Sequence, residues 1–401
     1  MDALTTPSNW QRVRLGDIAE IIGGGTPSTQ ITSFWNGSIN WFTPTEIGIT
    51  KYVYKSQRTI TPLGLKKSSA KLLPIGTILL TSRASIGDCA ILKEVATTNQ
   101  GFQSLIPLEK INNEFLYYLI LTLKNKLLKL ASGSTFLEVS PNKIKNLLIP
   151  LPPLNEQIAI ANILSDVDRY LYSLDALILK KESVKKALSF ELLSQRKRLK
   201  GFNQAWQRVR LGDICYLKNG FSFKSDLFKN MGIPIIRISN ISSADNCINT
   251  NDLVFYDPIL IDNDYILKQG DLILAMSGAT TGKSCLYNLN KIAYLNQRVG
   301  VFRAKTSFCY DFLVQFVFSE LFTSRLKLIL TAGAQPNISS FDIEDSEILL
   351  PSLDEQIAIA NILSDLDSEI ISLKNKKRQF ENIKKALNHD LMSTKIRVLE
   401  K

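Results

Sequence analysis

The chain of 401 residues is 45% apolar and carries 48 Lys+Arg against 37 Asp+Glu, a net charge of +11. That size suits two or three domains rather than one, and the longest apolar run, the nine residues 115–123, stops at Lys124, short of the ~18 that a membrane span needs. The opening MDALTTPSNW has no basic stretch followed by an apolar one, so no secretory signal is expected, and Cys89, Cys215, Cys247, Cys285 and Cys309 include no C-x-x-C pair, which reads as buried thiols of a cytoplasmic protein rather than a zinc site.

Self-comparison organises the rest. WQRVRLGDI occupies residues 10–18 and again 206–214; EQIAIANILSD occupies 156–166 and 355–365, at offsets of 196 and 199. Weaker matches fill the space between in the same order. GTILLTSRASIG (76–87) pairs with GDLILAMSGATTG (270–282), Asn99-Gln100 with Asn296-Gln297, EFLYYLI with DFLVQFV, and LASGST around Gly133 with LTAGAQ around Gly333. Strong anchors flanking diverged segments predict one scaffold carrying two different surfaces.

In chain order, residues 10–150 read as mixed α/β. Short strand-like runs such as GTILLT alternate with Gly/Ser/Thr/Asn turns, and one helix is expected over 115–130. After Pro152 and Pro153, with Asn155 available as an N-cap, the composition shifts to helix formers. Apolar residues then recur in alternating steps of four and three: Ile160, Leu164, Val167, Leu171, Leu174 and Ile178, continuing through Lys181 and Lys185 to Leu188 and Leu192. Residues 206–350 repeat the mixed pattern, with strand-like PIIRIS and DLILAM and a helix over 312–330. The second seam reads Ile359, Leu363, Leu366, Ile370, Leu373, Lys377, Phe380, Lys384, Leu387 and Leu391. These are coiled-coil seams, narrower than the face of an ordinary core helix.

The expected organisation is therefore a globular domain at 1–150, a central helical spacer at 151–205, a second globular domain at 206–350 and a C-terminal helical spacer at 351–401. The two helices most simply form an antiparallel coiled coil with a globular domain at each end and an approximate two-fold internal repeat. About 40 residues at roughly 1.5 Å each would make each helix about 60 Å long, enough to hold two globular domains further apart than the roughly 34 Å of a turn of duplex nucleic acid. The seam lysines Lys181, Lys185, Lys377 and Lys384 are open to three roles: snorkelling, fixing register, or facing a partner. Charge is uneven: +7 in residues 1–150 (16 basic, 9 acidic), +3 in 151–205 (9 and 6), 0 in 206–350 (14 and 14) and +1 in 351–401 (9 and 8). The basic excess fits a polyanion partner.

Catalysis has little support. Residues 278–284, GATTGKS, resemble a phosphate loop but place three residues between the glycines instead of four, and the first copy has no matching lysine. The only histidine, His389, falls on the last helix and reads as a surface residue. There is no G-x-S-x-G, no H-E-x-x-H, and no Asn- or Asp-Pro-Pro-aromatic motif of the kind amino-methyltransferases use on a flipped base.

Taken together, WQRVRLGDI with GGGTPS (23–28), the 76–87 segment, NQGF (99–102), SGST (132–135) and IPLPPLNEQIAIANIL leading into a long helix resemble the specificity subunit of type I restriction–modification systems. LGDI, the 270–282 segment and LLPSLDEQIAIANIL repeat the pattern, whereas NQGF becomes NQRV at 296–299 and SGST becomes AGAQ at 332–335. The resemblance implies two target-recognition domains, each reading half of a split site on double-stranded DNA, joined by helices that set the spacing. It implies two methyltransferase (modification) subunits docked on the helical regions, restriction subunits in some complexes, and adenine as the methylated base. S-adenosylmethionine, ATP and Mg would then belong to partner subunits, and this chain would bind no cofactor. A related system whose methyltransferase and nuclease share one polypeptide, and a coiled-coil scaffold without DNA specificity, are the alternatives.

The matched polar loops make Thr26, Ser28, Ser82, Arg83, Ser85 and Gln100 candidate DNA contacts in the first half. Arg237, Ser277, Thr280, Lys283, Gln297 and Arg298 are their counterparts in the second. Arginine suits guanine edges, glutamine suits adenine, and lysine mostly holds phosphates. Arg12, Arg14, Arg208 and Arg210 recur in both halves, which points to scaffold or phosphate roles.

Overall fold

The computed structural model describes residues 9–133, 137–241, 247–332, 337–393 and 395–398. Ser134 and Thr135 of the SGST segment, and Gly333, Ala334 and Gln335 of AGAQ, lie outside the described residues. The chain forms two compact units, Met1–Asp175 with Asn375–Lys401, and Ala176–Lys374.

In the first unit, strand Gln11–Arg14 pairs antiparallel with Leu148–Leu151, so the repeated opening motif closes on the strand just before the long helix. A five-stranded sheet follows in the order Ala19–Gly23, Gln103–Pro107, Ile78–Leu80, Cys89–Leu92, Tyr52–Val53. Beside it lies a three-stranded sheet, Arg58–Ile60, Trp35–Phe42, Ala96–Thr98, whose last two strands are parallel. Central strands such as Ile78–Leu80 and Cys89–Leu92 are buried throughout, as continuous apolar runs require when both faces are covered. Helix Asn113–Leu130 is capped by Asn112, whose side chain accepts from the Phe115 N–H at 2.8 Å, and it drives Phe115, Tyr118 and Ile120 into the core.

The second unit repeats the plan. Gln207–Arg210 pairs with Glu347–Leu350. One sheet runs Cys215–Asn219, Val299–Ala304, Leu272–Ala275, Ser284–Leu286; the other runs Val254–Tyr256, Ile233–Ile236, Ala293–Leu295, Ile266–Leu267. Ile233–Ile236 and Ala293–Leu295 are again the parallel pair.

Two local expectations are corrected. The helix expected over 312–330 is broken into Tyr310–Val317 and Glu320–Ala332. Buried Ser319 donates to the Phe316 carbonyl at 2.6 Å and accepts from the Phe322 N–H, offering the backbone partners other than the next helical turn. Nor does Asn155 cap the long helix, which starts at Leu154. The Pro153 carbonyl takes the first amides, and Gln157 works inside the first turn: its amide donates to the Pro152 carbonyl at 2.9 Å and accepts from the Asn112 N–H at 3.0 Å. Gln356 does the same with Pro351 and Cys309. The repeated Glu-Gln thus ties each long helix to the start of the domain helix, and that explains its identity in both copies.

The long helices are Leu154–Leu193 and Leu353–Met392, 40 residues each. In the first unit their segments run antiparallel: Asp168 pairs with Lys384, the Tyr170 and Phe380 rings lie 4.6 Å apart, and Asp175 pairs with Lys377 at 2.6 Å. In the second unit, Lys181 pairs with Glu369 at 2.8 Å, Glu182 with Lys374 at 2.7 Å, and Lys185 with Asp367. Every seam lysine therefore meets a carboxylate of the facing helix and fixes register. The hydrogen bond to Asp175 lifts the Lys377 ammonium above the ordinary lysine range, so Lys377 holds its proton more tightly than a free lysine would.

Candidate nucleic-acid interface

In the first unit, three connections leave the same end of the strands: residues 24–28 after Ala19–Gly23, 81–88 between Ile78–Leu80 and Cys89–Leu92, and 99–101 between Ala96–Thr98 and Gln103–Pro107. They lock to one another through backbone. The Gly25 N–H donates to the Thr98 carbonyl at 2.8 Å, and the Ser82 N–H to the Gly101 carbonyl at 2.8 Å. A side chain on Gly24 would overlap the Asn99 carbonyl, so this close approach requires glycine.

On this frame Thr26 donates its hydroxyl to the exposed Gln100 side chain. Ser28 is exposed, and its carbonyl accepts from the Trp35 indole at 3.0 Å. Arg83 is half-exposed and pairs with Glu138 at 2.8 Å. Ser85 is half-buried, and its carbonyl holds the Thr81 hydroxyl at 2.6 Å. Ser82 is buried, its hydroxyl donating to the Gly101 carbonyl at 3.1 Å, so it supports the turn from within.

The second unit builds the same frame from different residues. The Met276 N–H donates to the Arg298 carbonyl at 3.0 Å, as Ser82 does to Gly101, and Ala275 and Gly282 repeat the bonds of Thr81 and Gly87. The left-handed position is Ala84 (φ 57°) in one and Gly278 (φ 82°) in the other. Asn219, Ser277, Gln297, Arg298 and Asn337 line an open cleft of about 510 Å³ there. Gln297 and Arg298 are exposed along it and Lys283 is exposed on the hairpin, whereas Ser277 is buried and, among the described residues, its hydroxyl has no partner. Thr280 donates to the Ile238 carbonyl at 3.0 Å, and Arg237 to the Asp252 carbonyl at 2.7 Å, so both brace neighbouring loops. Arg208 and Arg210 pair with Glu347 and Asp345 beside the strand pair.

Sequence reading missed Trp35, Trp41 and Arg58. The indoles meet edge to face at 5.0 Å, Trp41 donates to the Gly25 carbonyl at 2.9 Å, and the exposed Arg58 guanidinium lies 3.8 Å above Trp35. Their available signal was the even spacing of two tryptophans in one strand-like run. Residues 278–284 lie in a hairpin leading to strand Ser284–Leu286, without the helix N-terminus a phosphate loop uses. Among the described residues, no three His, Cys, Asp or Glu side chains are grouped to hold a metal ion, and no helix is long and apolar enough to cross a membrane.

The family model for the type I restriction modification DNA specificity domain matches residues 7–181 and again 203–382. The MjaIX specificity subunit of Methanocaldococcus jannaschii is 30% identical over 427 residues, covering 98% of this chain and 95% of that protein. The EcoR124I/EcoR124II specificity subunit of Escherichia coli is 37% identical over 161 residues, 38% of this chain and 40% of that protein. The fold matches the type I S subunit from M. genitalium at a TM-score of 0.60 and 17% identity, covering 98% of both chains. A second solved chain, from work on assembly and conformational transition of the type I system, gives 0.61 and 18% over 97% of this chain and 98% of its own. The chain therefore belongs to the type I restriction–modification DNA specificity family, as a specificity subunit with two target-recognition domains.

Proposed function

We propose that the chain reads a bipartite, asymmetric site on double-stranded DNA, one half per target-recognition domain, and brings two methyltransferase subunits, with restriction subunits where they join, to that site. The observation that carries this reading is the pair of matched loop frames. The Ser82–Gly101 bond and the Met276–Arg298 bond hold equivalent turns whose outward residues differ. Thr26, Ser28, Arg83, Ser85 and Gln100 are the proposed contacts in the first half; Thr280, Lys283, Gln297 and Arg298 are those in the second. Ser82 and Arg237 position the loops that carry them, and Ser277 lines the same cleft as Gln297 and Arg298.

Two equivalent partners fit the helices. The first unit exposes Tyr172 and Ile383, and the second exposes Ile371 and Val184, residues related by the 199-residue offset. In this reading the chain performs no chemistry. S-adenosylmethionine, ATP and Mg are handled by the partner subunits in the cytoplasm, and the helix length sets the gap between half-sites.

The test is selection from random duplexes by the full chain assembled with its modification subunits. Enrichment of two short elements at a constant gap is expected; an undivided motif, or none, contradicts the proposal.

A further inference from the structure

The two domains share strand topology, so their registers can be laid side by side. Trp41 pairs with Arg58 on one side and Thr97 on the other; Ile235 pairs with Val254 and Tyr294. The amides of Asn99 and Asn296 bond to the carbonyls of Phe42 and Ile236, which anchors the correspondence. Arg58 thus stands where the second domain has Val254, at the strand end from which the reading loops leave.

The segments that follow carry opposite charge. Residues 61–72 contain Lys66, Lys67 and Lys71 and no acid; residues 257–265 contain Asp257, Asp262 and Asp264 and no base. The acids are used by their own fold. Asp257 pairs with Lys229 at 2.5 Å, Asp262 accepts from the Asp264 N–H at 3.1 Å, and Asp264 accepts from the Tyr216 hydroxyl at 2.8 Å. The cations form no such ion pairs, and Arg58 rests on the Trp35 ring. Arg58, Lys66, Lys67 and Lys71 are all exposed, and among the described residues none pairs with a carboxylate.

Nor are they scattered. Ser69 and Ala70 pack so tightly on Gly25 that a side chain there would overlap them. Trp41 and Trp35 hold the carbonyls of Gly25 and Ser28, and Trp35 is also the floor beneath Arg58. One rigid base therefore supports both the first reading loop and the basic edge.

We propose that Arg58, Lys66, Lys67 and Lys71 form a phosphate grip that only the first target-recognition domain possesses. The proposal rests on the DNA-recognition reading above. Lysine is a point charge on a flexible stem, which suits phosphate oxygens more than base edges. The grip positions the duplex beside residues 25–28 without reading sequence. The two half-sites are then held unequally, with the first domain supplying more of the salt-dependent affinity.

The experiment measures affinity of the full chain, assembled with its modification subunits, for its selected duplex across a salt series by fluorescence anisotropy. Removing one lysine–phosphate ion pair should make the slope of log K against log salt shallower by about 0.9. The triple variant K66Q/K67Q/K71Q should therefore lose roughly 2 to 3 from the slope and enrich an unchanged motif. The variant K66R/K67R/K71R should keep the wild-type slope, which separates charge from misfolding. An unchanged slope in the glutamine variant overturns the grip while leaving sequence reading intact, and so does a change in the enriched motif. Failure of the wild-type complex to select any sequence overturns the underlying reading instead.

Discussion

Asp168 of the first long helix forms a salt bridge with Lys384 of the second, and the Tyr118 hydroxyl donates to the same carboxylate. At the 199-residue offset, Asp367 meets Lys185 and accepts from the Gln315 amide at 3.0 Å. One arrangement is thus built twice, with tyrosine in one copy and glutamine in the other. Burial, and then the hydrogen bond to Asp168, raise the Tyr118 phenol far above its ordinary range, so it remains a donor.

The Asp168–Lys384 pair is three-quarters buried on both sides and bound to a domain residue. Lys384→Ala should therefore cost about 1–2 kcal/mol, more than a surface pair would. The reversal D168K/K384D should recover part of that loss. Urea unfolding at fixed ionic strength checks this, and a reversal no more stable than the single variant contradicts the pairing.

Glu355 is fully buried and receives Arg198 at 2.7 Å and the Trp206 indole at 2.9 Å. Among the described residues, its counterpart Glu156 has only the Asn9 amide at 3.3 Å in hydrogen-bond reach, and the Trp10 indole has no hydrogen-bond partner. Glu355→Ala should then destabilise by about 2–4 kcal/mol and Glu156→Ala by clearly less, because only the first leaves Arg198 and the Trp206 indole without their buried acceptor. Melting temperatures of the two variants decide it; equal losses contradict the assignment.

Gly24→Ala should loosen the first reading frame alone, since the new methyl meets the Asn99 carbonyl. An overpacking cost of about 1–3 kcal/mol is expected, seen as faster amide exchange at residues 25 and 82. Protection at 276 and 282 should not change. Matched loss in both domains would show that the frames are not independent.

Removing one heptad from each helix, residues 171–177 and 370–376, keeps the seam phase and shortens each helix by about 10 Å. The preferred gap should shrink by roughly three base pairs at ~3.4 Å each. An unchanged gap excludes the helices as the spacer.

Much of this was legible in the chain. The duplication and the seam are periodic signals, so the mixed fold and the long helices followed directly from residues such as Leu164 and Leu363. Contacts set by tertiary packing were not. Nothing local shows that Ser319 would interrupt a helix, that Ser82 would turn inward, or that Arg58 would lie on Trp35. The seam lysines were visible as exceptions, but their carboxylate partners sit between 182 and 216 residues away, beyond the reach of spacing arguments.

The most direct test of two independent readers on one frame is duplex selection with paired loop variants in the assembled complex. The variant T26A/Q100A should erase the first half of the motif and leave the second and the gap intact, and Q297A/R298A should do the reverse. Loss of both halves from either variant, or of neither, would contradict the account.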